Sequence, residues 1–249
     1  MTDGIRQVLQ EESDALRAYY EQAGILIARP AGGTSCRLAI SAKGGTNAEN
    51  HNHNDVGSYA VALGSETMVG DQGGPNSYPG DYFNGDAPQK YKIKGSFGHP
   101  VPVVDGRTQS SGGKAKGVVL QKEFTNEKDV FSIDYTSAYS TPNLDKLIRT
   151  FVYDRQGKGS FTVGDEFTAK TPIRFETAIT TRADWKILDD THLLLATDSE
   201  QMIVAIEASG KVAFTSETIE VNSPAYTRIG IALKNQSKEG YIRLKMYTK

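Results

Sequence analysis

Beyond Gly24 the chain is a close succession of short β-type runs, and this pattern most constrains its fold. Runs at 25–29, 36–41, 58–63 and 66–69 are followed, beyond Gly117, by 117–124, 129–135, 147–153, 160–163, 173–181, 192–197, 202–207, 211–215, 226–233 and 240–247. Gly, Asn, Asp and Pro punctuate them, and many strands at this spacing predict layered antiparallel sheets. The expected fold class is all-β, a multilayer β-sandwich with one short N-terminal helix. That helix is expected over 5–20, where Ile5, Val8, Leu9, Leu16, Tyr19 and Tyr20 recur at three- and four-residue steps. Ala23-Gly24 would stop it. The expected division is therefore a helical connector over 1–23 and a β-sandwich over 24–249. At 249 residues and 38% hydrophobic content, the chain is long enough to bury a real core.

Charge narrows the function. A net charge of −2 lacks the basic footprint of nucleic-acid binding. No apolar run approaches the length of a membrane span. The lone Cys36 excludes an intrachain disulfide and reads as a small buried hydrophobe. Between Gly45 and Asp86 there is no Lys or Arg, whereas Glu49, Asp55, Glu66, Asp71, Asp81 and Asp86 are acidic. From Ala87 to Lys122 the balance reverses, with Lys90, Lys92, Lys94, Arg107, Lys114, Lys116 and Lys122 against Asp105. A cation site beside an anion-binding surface fits this split, as do two solvated faces whose charges balance.

The acidic segment holds Asn50-His51-Asn52-His53-Asn54-Asp55, and three of the four histidines are His51, His53 and His99. Imidazoles at i and i+2 of an extended segment point to one side, and zinc takes imidazole nitrogen with carboxylate oxygen. The spacing also suits a polar surface loop. Ser58–Leu63 and Glu66–Val69 flank Gly64-Ser65, a plausible hairpin turn. A simple ladder there sets Asp71 nearly opposite Ser58, so His53 reaches Asp71 only if 50–57 curls back, which Gly57 permits. Residues 72–89 form a long loop carrying Tyr78, Tyr82 and Phe83. Lys90–Lys94 alternates like a strand, three lysines on one side, Tyr91 and Ile93 on the other. His192 reads as a strand-edge residue, and Tyr91 and Trp185 as core aromatics.

The sequence resembles the C-terminal β domain of the heparinase II/III-like polysaccharide lyases, which include heparin, heparan and alginate lyases. The likeness begins at Ala23–Arg29 and is sharpest at Asn50–Tyr59. It continues through Gly70-Asp71-Gln72-Gly73-Gly74, then Gly98-His99-Pro100 to Gly106 with Gln109, and through Arg149–Asp154 and Phe161–Phe167. Pro100 departs from the Asn that many members carry after the third His.

The resemblance implies an α/α toroid followed by a β-sandwich, with the active site between them. Helix 5–20 would be the last remnant of the toroid, which this chain lacks. By motif position, zinc falls on His53, Asp71 and His99 and His51 falls at the cleft. There the zinc would tie the 50–57 loop to Asp71 and to the strand at His99. Tyr82 and Tyr91 are the candidates for proton transfer, and Lys90, Lys92, Lys94 and Arg107 for holding an acidic polysaccharide, whether glycosaminoglycan or alginate. A periplasmic or secreted location goes with the family. Two other classes fit parts of the pattern. One is a non-catalytic glycan-binding or structural module. The other is a cupin-type metal oxygenase, in which Asp55 would have to serve as the carboxylate.

Overall fold

The computed structural model of the chain describes residues 15–70, 74–75, 77–220 and 224–249. Every strand pairing among them is antiparallel. A five-stranded sheet runs in the order Arg17–Tyr20, Ile25–Ala28, Leu38–Lys43, Tyr59–Leu63, Glu66–Val69. An eight-stranded sheet runs Asp184–Asp189, His192–Ala196, Gln201–Ala208, Ser237–Thr248, Ser160–Ile173, Leu144–Asp154, Lys128–Asp134, Val118–Phe124. Val212–Ile219, Tyr226–Leu233, Phe175–Thr181 and Val103–Val104 make a third sheet, and Thr46–Asn47 pairs with Gly112–Lys116. The chain is all-β and layered, as expected.

Burial follows the two-residue period of a half-covered sheet. Leu38, Ile40 and Ala42 alternate with less buried neighbours, as do Tyr59, Val61 and Leu63. Phe175–Thr181 and Tyr226–Leu233 are instead buried along nearly every residue, as strands covered on both faces must be. Phe131, Phe151 and Phe161 stack across adjacent strands at centroid spacings of 5.9 and 6.2 Å. Tyr59 packs on Phe151 and Phe161, which ties the five-stranded sheet to the eight-stranded one. Cys36 is buried, Trp185 is partly buried against the core, and His192 opens its strand beside Asp189.

Several expectations fail locally. Residues 5–14 of the expected helix lie outside the described residues, and its last turn, Arg17–Tyr20, is a strand paired with Ile25–Ala28. Tertiary contacts override helical spacing here. Tyr19 packs between Phe124 and Phe131, and Arg17 ion-pairs with Asp129. Lys90–Lys94 is not a strand. Lys90 ends the short helix Ala87–Lys90, and Lys94 and Gly95 both donate their backbone N–H to Tyr91 O. Gly98 allows the turn to close, because a Cβ there would lie 2.3 Å from Lys92 O. The Tyr59–Val69 hairpin forms around Gly64 as read, but a bulge pairs Val61 with Val69.

Candidate functional site

The segment after Leu38–Lys43 is held by a polar frame. Asn47 Oδ1 accepts from Asp55 N at 3.0 Å, and Asn47 Nδ2 donates to Gln109 Oε1 at 3.0 Å. Gln109 also accepts from Val56 N and donates to Val56 O. Asp55 ion-pairs with Lys43 at 2.5 Å, so it does not join the histidines as a cupin carboxylate would. Gly57, at φ +88°, turns the chain under the Tyr135 ring and Arg149.

Within that frame the two histidines of the H-x-H part company. His51 sits in the left-handed region at φ 59°, exposed, with its ring 4.6 Å from Phe83. His53 turns inward, and its Nδ1 lies 3.1 Å from Nε2 of the fully buried His99. The same-side geometry expected of an extended segment is therefore absent: the positive φ at His51 breaks the alternation. The segment does curl back, but the partner it reaches among the described residues is His99.

Several contacts fix the histidine pair. Arg149 Nη1 donates to Gly57 O at 2.7 Å and to Pro100 O at 2.8 Å, gripping the backbone beyond both histidines. Tyr226 donates to Gly98 O at 2.8 Å. Tyr82 OH lies 3.3 Å from His53 Nε2.

The pair fits a metal. Zinc–nitrogen bonds of about 2.0–2.1 Å in a tetrahedron place two imidazole nitrogens about 3.3 Å apart, close to the spacing seen. With His53 Nδ1 on an ion, its Nε2–H would face the Tyr82 oxygen, the outer contact that fixes a ligating ring. Among the described residues no group of three His, Cys, Asp or Glu converges. Asp71, the third expected ligand, lies outside them. The chain just before it is anchored, Gly70 N to Thr180 O at 3.0 Å and Thr180 Oγ1 to Gly70 O at 2.6 Å.

A cleft of about 370 Å³ opens beside His51, lined by Asn52, Asn54, Phe83, Lys94 and Ser111 among others. A larger depression of about 700 Å³ lies on the eight-stranded sheet. Its Arg243 is already paired with Glu166 and Glu207, and it holds no histidine, so the smaller cleft is the better chemical candidate.

The other expected residues scatter around the cleft. Tyr82 is 1% exposed with its hydroxyl on His53, so it backs the histidine pair. Tyr91 donates to Asp81 at 2.5 Å, and this bond holds its pKa above the ordinary phenol value. The exposed tyrosine of the cluster is Tyr78, 5.1 Å from Phe83. Lys90 pairs with Asp81 and Lys92 with Glu217, whereas Lys94 turns inward to donate to Tyr82 O at 2.5 Å. Three lysines on one face are not found. Arg107 stands exposed on the turn closed by Val104 and does not line the cleft. Sequence reasoning gave no role to Asn47 or Asn54, whose amides shape the cleft floor, and two more Asn in an Asn-rich loop carry no distinguishing signal.

Comparisons with known proteins show the fold. No family model matches the sequence, and no curated protein matches it. Among solved structures, a heparan sulfate lyase HepC mutant from Pedobacter heparinus aligns over 95% of this chain and 37% of its own, with a TM-score of 0.75 and 15% identity. The HepC enzyme from the same organism gives 0.73 and 14% over 95% and 37%. A heparinase III structure gives 0.72 and 17% over 93% and 36%. The chain thus shares its architecture with the β-sandwich part of these lyases and spans under two fifths of their length.

Proposed function

We propose that this chain is the β-sandwich part of a polysaccharide lyase that cleaves uronic-acid-containing polymers by β-elimination, forming one wall of its cleft. The observation that carries this reading is the division of the H-x-H pair. His51 faces the cleft, while His53 turns back to His99 and can hold a structural ion. That division matches the roles the resemblance assigns, on a fold shared with heparan-degrading lyases.

β-Elimination removes the proton alpha to the uronate carboxyl, forms a C=C bond, and expels the glycosidic oxygen from the next carbon. The intermediate gathers charge on the carboxylate, so the cleft must supply cations or hydrogen-bond donors there. One group takes the proton and another protonates the leaving oxygen. In this chain His51, which lines the cleft, would serve proton transfer or donation to the carboxylate. Zinc, with His53, His99 and Asp71 as its ligands, would act as a structural tie between the His51 loop and the strand layers. An α/α toroid would carry the other wall, and a periplasmic or secreted location goes with a polymeric substrate.

A second reading, a glycan-binding module without turnover, draws on a specific observation. The titratable groups lining the cleft are Glu49, His51 and Lys94, while the Tyr82 and Tyr91 hydroxyls are committed to His53 and Asp81. Both readings require binding. The chain is expected to retain heparin, heparan sulfate, hyaluronan, chondroitin or alginate with an affinity that falls as salt rises. Binding to none of the five counts against the glycan reading itself.

A further inference from the structure

Lys94 is a buried cation that forms no ion pair with a carboxylate among the described residues. It is 5% exposed. Its ammonium donates to Tyr82 O and lies 4.9 and 5.0 Å from the Tyr82 and Phe83 ring centroids. Asp81 is paired with Lys90 and Tyr91 and Asp55 with Lys43, while Glu49, which shares the cleft lining, accepts from the Thr46 hydroxyl. An ammonium carries three donors, and one carbonyl uses one of them. Two aromatic faces compensate a cation only in part, and a buried charge without a counter-ion is costly. Burial accordingly pushes the Lys94 pKa below that of an ordinary lysine.

Lys94 is also among the residues that line the cleft beside His51, together with Asn54 and Ser111, whose side chains hydrogen-bond to each other. Asn54 is tied to this turn through its N–H to Lys94 O at 2.9 Å. The missing counter-charge therefore has a place to come from. We infer that Lys94 is the seat for an anionic oxygen group of the bound ligand, carboxylate or sulfate, held in the cleft within reach of His51. This rests on the acidic-glycan reading and deepens it. It separates Lys94 from Lys90 and Lys92, whose ammonium groups already have carboxylate partners.

The test uses the full chain with an unsulfated glucuronate tetrasaccharide, the same tetrasaccharide after reduction of its carboxyl groups to alcohols, and a sulfated form of the reduced one. Carboxyl reduction should weaken binding to the wild type at least about tenfold, the scale of a lost buried charge pair. It should change binding to Lys94→Met by less than twofold. Lys90→Met should respond like the wild type. Restored binding of the sulfated form would identify sulfate as the anion that Lys94 seats. Equal sensitivity of the wild type and Lys94→Met to carboxyl reduction, with no restoration by sulfate, would overturn the inference and leave the glycan reading intact.

A second measurement needs no variant to fold. The side-chain Cε and Nζ resonances of Lys94 should shift when the wild type is titrated with acetate or with sulfate. A shift in the absence of any tetrasaccharide binding would keep the anion seat and remove the glycan reading. No shift with either anion would remove the seat.

Discussion

Arg149 donates from Nη1 to the carbonyl oxygen of Pro100, the residue that follows His99, at 2.8 Å. The same nitrogen reaches Gly57 O, so one guanidinium spans the two segments that bear the histidine pair. Its other edge forms a two-pronged pair with Asp165, at 2.7 Å from Nε and 2.6 Å from Nη2, inside the core. Tyr135 and Thr177 complete the carboxylate's hydrogen bonds. The pair is fully satisfied, so removing one partner strands a buried charge. Arg149→Met is expected to cost about 3–5 kcal/mol, read by urea denaturation. Arg149→Lys should cost nearly as much, because an ammonium cannot reproduce the fork. Unchanged stability in both variants would show that Arg149 does not hold the two segments together.

The histidine pair gives a metal prediction. Chain purified without metal-affinity resin should carry about one zinc, lost in His53→Ala and in His99→Ala. Tyr82→Phe keeps the ring packing and removes the hydroxyl facing His53 Nε2. It should lower zinc affinity about 10–100-fold while leaving the circular dichroism spectrum unchanged. Full zinc content in both alanine variants would remove the assignment.

Leu38–Lys43 and Tyr59–Leu63 were legible because one face is buried and the other is not. The sequence pattern of the run at 160–163 ends at Gly164, yet the strand continues to Ile173. Gly164 stays in the ladder between Thr150 and Arg243, and the Arg243 side chain covers the space a Cβ would occupy. Asp184–Asp189 has no legible strand signal because this edge strand is almost wholly exposed and carries no alternation of burial. At the site, residue types were legible and directions were not. Neither the positive φ that sends His51 to the cleft nor the turn that sends Lys94 inward has a signature in residue type. Asp71, the third expected ligand, lies outside the described residues.

Buried phenols give a pH prediction. Tyr59, Tyr135, Tyr139 and Tyr153 all have pKa values pushed upward, in each case chiefly by burial. In the unfolded chain they would titrate near about 10. Their folded values lie above this, so the stability they contribute is intact below that pH. It is lost as pH rises, because the unfolded state then binds fewer protons. Phenolate absorbance from these four should appear together with the loss of the β circular dichroism signal. Ionisation of all four while that signal stays intact would contradict their burial.

The last prediction concerns turnover by this chain alone. Proton abstraction needs a base, an acid and a charge neutraliser held together on one sugar. The cleft described here supplies His51 and Lys94, and the Tyr82 and Tyr91 hydroxyls point at other partners. If the remaining groups come from a toroid, their absence costs several kcal/mol of barrier, a drop of at least about a thousandfold. Little or no unsaturated uronate should therefore accumulate, followed by ultraviolet absorbance, when this chain is incubated with heparin, heparan sulfate, hyaluronan, chondroitin or alginate. Supplying a toroid domain should raise the rate, and His51→Ala should abolish the gain. Robust turnover by this chain alone, itself abolished by His51→Ala, would show that one wall suffices and that the proposed division of labour is wrong.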